Sequence, residues 1–145
     1  MFMDALGLVS DNQAVTATAF STNTIDLLGA NRTIGTGEPI GFGLAVDVAA
    51  DITTSDETYT VEVVESDNAN LSTPTVIGSV TLAAALLAIG ALHWLPIAPG
   101  KPVKRYIGLR YTVAGTTPSV TVTAWLTAHK LFSIATRAYP KGYGI

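Results

Sequence analysis

Two histidines, eleven carboxylates and no cysteine are what this 145-residue chain offers to catalysis or metal binding. Without a thiol there is no disulfide, no thiolate nucleophile and no sulfur ligand, and the redox compartment stays unread. His93 sits beside Trp94 on a strand-like stretch, and His129 stands far from it beside Lys130. A zinc site takes three or four ligands at set spacing, which two isolated imidazoles do not supply. Both read as structural or surface side chains. Asp47, Asp51, Asp56 and Glu57 crowd one loop-like stretch. Oxygen-rich loops can hold calcium, but this spacing is not that of an EF-hand, and a solvated loop explains it. Gly35-Thr36-Gly37-Glu38-Pro39-Ile40-Gly41 has the glycines of a phosphate loop. It lacks the Gly-Lys-Ser/Thr ending and a following helix, so it reads as a turn into a strand. No Gly-x-Ser-x-Gly elbow occurs. The expectation is a protein without catalytic residues, cofactor or metal.

The elements that must carry these side chains are strands. The chain holds 20 Thr, 13 Val and 10 Ile, and β-branched residues crowd a helix but fit a pleated sheet. Gly and Pro recur at the spacing of turns between short strands. The pattern predicts strands at Ala14–Phe20, Thr24–Leu28, Ile40–Val48, Thr58–Glu65, Val76–Leu82, Ala91–Ile97, Lys104–Val113 and Ser119–Lys130. Within them Tyr59, Val61 and Val63 share one face, as do Ile107, Leu109, Tyr111 and Val113. The only helical candidate is Ala83–Ile89. About eight antiparallel strands without βαβ alternation predict an all-β jelly-roll sandwich.

The size is that of one domain with a sizeable core. This domain is expected over residues 14–130, with an N-terminal arm at 1–13 and a C-terminal arm at 131–145. Both arms carry large apolar residues, including Phe2, Leu6, Phe132, Tyr139 and Tyr143. Such arms are expected to lie on their own domain or on a neighbour. The N-terminus has no basic stretch and no cleavage pattern of a signal peptide. Thr81–Pro96 imitates a membrane span but is too short and contains His93, so a strand, a tight bend and a second strand explain it better.

Hydrophobic residues make up 48% and charged residues 13%. The charges are sorted by position. Every acid lies at or before Asp67, with Arg32 as the one base there. Beyond it come Lys101, Lys104, Arg105, Arg110, Lys130, Arg137 and Lys141 and no acid. Either the halves complement each other inside one domain, or the basic half docks on an acidic neighbour. The bases lack the density and interleaved aromatics of a nucleic-acid groove. Trp125 falls on the Thr-rich side of the last strand, opposite Val120, Val122, Ala124 and Leu126. It is the floor under a long arm, an interface anchor, or a core residue turned inward by a bulge. Tyr106 and Arg110 fall on a similar second face.

Several stretches, in order, resemble one family. They are Ser10-Asp11-Asn12-Gln13-Ala14-Val15-Thr16-Ala17-Thr18-Ala19, Ser21-Thr22-Asn23-Thr24-Ile25-Asp26-Leu27 and Gly35-Thr36-Gly37-Glu38-Pro39. Leu95-Pro96-Ile97-Ala98-Pro99-Gly100, running into Lys104-Arg105-Tyr106-Ile107-Gly108-Leu109-Arg110-Tyr111, fits as well. So do Glu65-Ser66-Asp67-Asn68, Thr73-Pro74-Thr75-Val76 and Val113-Ala114-Gly115. The likeness is to the jelly-roll capsid cement proteins of tailed bacteriophages, of the Bordetella-phage type, over roughly Ser10 to Thr127. It implies a structural protein on the outer surface of the virion head, assembled in the host cytoplasm. Its partners would be the major capsid protein and itself, as a homodimer rather than a homotrimer, with no direct nucleic-acid or membrane partner. Contact residues are expected among Phe2, Leu6, Arg105, Tyr106, Arg110, Trp125, Phe132, Arg137, Tyr139 and Tyr143. The competing reading is a jelly-roll carbohydrate-binding module displayed on a virion. It would use Trp94 and Trp125 as sugar platforms beside Asp51–Glu57.

Overall fold

Alternating side chains fold this chain into two facing sheets, seen in a computed structural model that describes residues 4–34 and 37–136. The strands are β1 (Leu8–Val15), β2 (Ala19–Phe20), β3 (Ile25–Asp26), β4 (Ile40–Val48) and β5 (Thr58–Ser66). They continue with β6 (Thr75–Ala83), β7 (Leu92–Pro96), β8 (Tyr106–Ala114) and β9 (Val120–Ala128), and a helix, α1 (His129–Thr136), ends the described chain. One sheet runs β1-β9-β4-β7, and the other β2-β8-β5-β6 with β3 also on β8. Every pairing is antiparallel. The chain passes from one sheet to the other at most connections, and this strand order is a jelly roll.

The inward residues make one core. Tyr59, Val61 and Val63 of β5 and Ile107, Leu109 and Tyr111 of β8 join Phe42, Leu44 and Val46 of β4 and Val120, Val122 and Ala124 of β9. One polar link is buried with them. The Tyr111 and Ser10 hydroxyls lie 2.7 Å apart, and Ser10 Oγ donates to Gln13 Oε1. Burial pushes the Tyr111 phenol up, so it stays a neutral donor. The sheets are also stitched along one side. Ala98 N donates to Ile77 O at 2.9 Å, and a Cβ on Gly78 would stand 2.3 Å from Pro96 O.

Four expectations shift. The strand expected at Ala14–Phe20 begins at Leu8 instead, within the segment read as an arm, and ends at Val15. Register shifts on both sides of Ser10 and a positive φ of 45° at Asn12 break the alternation that marks a strand. Ala83–Ile89 is not a helix; it holds only the 3₁₀ turn Ala84–Leu86. The last strand stops at Ala128, and His129 and Lys130 open α1, with His129 N donating to Pro39 O at 2.8 Å. The C-terminal arm is therefore helical over Leu131–Thr136, and residues 137–145 lie outside the described residues. Thr81–Pro96 is strand, turn and strand, and no helix among the described residues is long and apolar enough to cross a membrane.

Candidate interaction surfaces

Among the described residues, no three His, Asp or Glu side chains converge as a metal site. The carboxylates flagged in the sequence turn to the backbone and to hydroxyls. Asp51 accepts from Thr53 Oγ1 and Thr53 N, Asp56 from Thr54 Oγ1, Thr116 N and Thr116 Oγ1, and Asp47 from Thr123 Oγ1. These hydrogen bonds hold Asp51 and Asp56 below the usual carboxylate range. His93 Nε2 lies 2.9 Å from Leu86 O and secures the bend before β7.

Arg110 of β8 and the bases just before it, Lys101 and Arg105, spend their charge within the molecule. Arg105 grips Asp26 with two hydrogen bonds of 2.8 Å, and its guanidinium stands 5.1 Å from the Tyr106 ring centre. Arg110 Nε donates to Glu62 Oε2 at 2.6 Å, and Thr112 Oγ1 donates to the same oxygen. Lys101 reaches Glu65 at 3.1 Å. Each pair joins an acid of the first half to a base of the second, so complementation inside the domain accounts for these charges. Arg105 and Arg110 are consequently not free cations waiting for a partner. The Arg105 hydrogen bonds, with one from Leu28 N, hold Asp26 down at about 2. Arg105→Ala is expected to return Asp26 toward 3.8, read by NMR titration of its carboxyl carbon. Asp26 titrates lower when folded, so the stabilisation it lends is present above 3.8 and lost as the pH falls through about 2.

Trp125 sits beneath the chain's own helix. It is 1% exposed despite lying on the outer, Thr-rich side of β9. Gly43 makes the room: a Cβ there would meet Trp125 Cζ2 at 2.7 Å and Phe132 Cδ2 at 3.1 Å. Phe132, on α1, is itself buried and lies 5.5 Å from Trp94, whose ring meets His129 edge-on at 5.1 Å. Of the three readings of Trp125, the arm cover is the one realised, and in cis. Trp125 and Phe132 are thus corrected from surface contacts to buried packing. Trp125 also cannot serve as a sugar platform.

Leu6 does not lie on its own domain: it is 87% exposed, on the 3₁₀ turn Ala5–Gly7, where its amide donates to the Asp4 carboxylate. With Leu8, Ser21–Thr24 and Ala69–Leu71 it borders an open cleft of about 460 Å³. Tyr106 is half-buried. Phe2, Arg137, Tyr139 and Tyr143 lie outside the described residues.

The most distinctive surface was not singled out as one by the sequence pattern. The β4–β5 loop and the β6–β7 bend come together at one end of the sandwich through Ala50 N to Leu87 O (2.9 Å) and Gly90 N to Val46 O (2.8 Å). They expose Val48, Ile52, Leu86 and Ile89. Asp47, Asp51, Asp56 and Glu57 belong to the same loop region, while residues 46–61, 76–100 and 111–129 contain no Lys or Arg. A cleft of about 320 Å³ opens between Ile52, Ser55 and Glu57 on one side and Ala83, Ala84 and Ala85 on the other. Each half was legible, as an acidic loop and as an Ala-rich bend. Their joining is a tertiary fact.

No curated protein matches this chain. The Bbp16 family model matches residues 9–126, from the second residue of β1 into β9. The match spans both sheets and stops short of α1, and on that evidence the chain belongs to the Bbp16 family.

Proposed function

We propose that this protein is a capsid cement protein, binding the outside of a phage head across junctions between major capsid protein subunits. The observation that carries the reading is membership of the Bbp16 family, whose name suggests a Bordetella phage protein. The jelly-roll order supports it, as does the ordered likeness of turns and strand starts to phage cement proteins. So does a surface of apolar residues and carboxylates at one end of a well-packed sandwich. A small contact repeated over many subunits holds a shell, because linked binding raises effective concentration. The protein acts as a symmetric oligomer, a dimer in this reading, that spans neighbouring subunits.

The test is co-sedimentation of the purified chain with cognate phage shells that lack it. Saturable binding at a fixed number of copies per shell subunit is expected. Absence of binding to both unexpanded and expanded shells overturns the proposal.

A further inference from the structure

We propose that the cleft beside Glu57 receives a lysine or arginine side chain from the shell protein, with the Glu57 carboxylate as its counter-ion. This rests on the cement reading and names the chemistry of its contact. Glu57 is 5% exposed. Its Oε1 shares the single Thr54 hydroxyl hydrogen with Asp56 Oδ1, while its Oε2 is buried without any hydrogen-bond partner. A buried carboxylate oxygen left unpaired is costly, and native structures rarely keep one without use. Among the described residues, the strands and loops at this end, 46–61, 76–100 and 111–129, carry no Lys or Arg to pair with it.

The walls suit the same guest. Ile52 and Ala83–Ala85 line the cleft with methyl and methylene surface. A basic side chain lays its apolar stem on such a wall and keeps its charge at the tip. The cleft, at about 320 Å³, has room for one long side chain. Its floor is held from behind. Gly115, at φ 106°, brings its backbone so close that a Cβ would stand 2.7 Å from both Asp56 O and Glu57 Cα. Ile52, on the cleft wall, is exposed, and Val48, Leu86 and Ile89 are exposed on the same two joined segments, with the exposed Asp56 next to Glu57 in the chain. A buried basic anchor inside an apolar ring is a common form of interface hot spot.

Three variants test this by co-sedimentation with cognate shells lacking the protein. Glu57→Gln removes the charge at constant shape. Ala85→Trp caps the cleft from an exposed position. Arg32→Glu alters charge away from these loops. Wild type binds; Glu57→Gln and Ala85→Trp each weaken binding by about 30-fold or more; Arg32→Glu does not. Thermal unfolding of Glu57→Gln at or above wild type excludes misfolding as the cause. If wild type binds and either cleft variant binds as tightly, the occupied cleft is wrong and the cement reading stands. If wild type itself fails to bind, both fall.

Discussion

Glu65→Ala is expected to lower the free energy of unfolding by about 3–5 kcal/mol, because it removes the buried partner of several donors at once. Glu65 is the penultimate residue of β5 and is fully buried. Its Oε2 accepts from Val103 N at 2.6 Å and Lys104 N at 3.2 Å, and its Oε1 from Lys101 Nζ at 3.1 Å. One carboxylate thus ties the loop before β8 to the adjacent strand. Burial by itself pushes this carboxyl up, but the two backbone donors and Lys101 together leave it below its ordinary value of 4.5. The stabilisation is therefore full above pH 4.5 and is lost as the pH falls through the lower folded value. Urea unfolding at neutral pH and near pH 3 checks both points, since the gap between wild type and variant narrows in acid. Lys101→Ala, which leaves both backbone donors in place, is expected to cost far less, because Lys101 is partly exposed. Equal losses in the two variants would refute this account.

The second large effect is expected at Phe132→Ala, at about 3 kcal/mol. An eight-residue helix has little stability of its own, so tertiary packing must hold α1 in place. The packing visible is Phe132 against the bare backbone of Gly43 and near Trp94, with Trp125 beneath. Loss of that ring should release the helix and wet Trp125. The readouts are a red shift of tryptophan emission and a fall in the urea midpoint. Gly43→Ala attacks the same site from below, since its Cβ would press on Trp125 at 2.7 Å. Unchanged emission in both variants would mean that α1 does not cover Trp125.

Legibility in the sequence followed locality. β4 runs from Ile40 to Val48 as expected, because Gly37-Glu38-Pro39 marks its start and its side chains are apolar enough to read. β5, β6 and β8 agree to within two residues, and Tyr59, Val61 and Val63 turn inward as their alternation requires. β1 escaped because Ser10-Asp11-Asn12 interrupts the period at a bulge whose pairing partner lies on β9. α1 escaped because its eight residues hold barely two helical turns. The surfaces were harder still. Arg105 looks like a free cation until Asp26 is brought beside it from the other half of the chain. Trp125 looks like an exposed anchor until Phe132 folds back over it. Nothing local to Glu57 says that one of its oxygens is enclosed and unpaired.

The place of β9 has a consequence for synthesis. It is the last strand made among the described residues, yet it lies between β1 and β4 in the middle of its sheet, with Leu8 opposite Trp125 and Val15 opposite Val120. On the ribosome, β1 and β4 have no mutual bridge until Val120–Ala128 emerges. At about 5–20 residues per second that interval lasts roughly 4–16 s after β4 is complete. Throughout it the nascent chain carries open strand edges that other chains can join. Cooler, slower expression or chaperone protection should therefore raise soluble yield. Chains terminated before Val120 should fail as a class, while chains carried past Ala128 close the sheet.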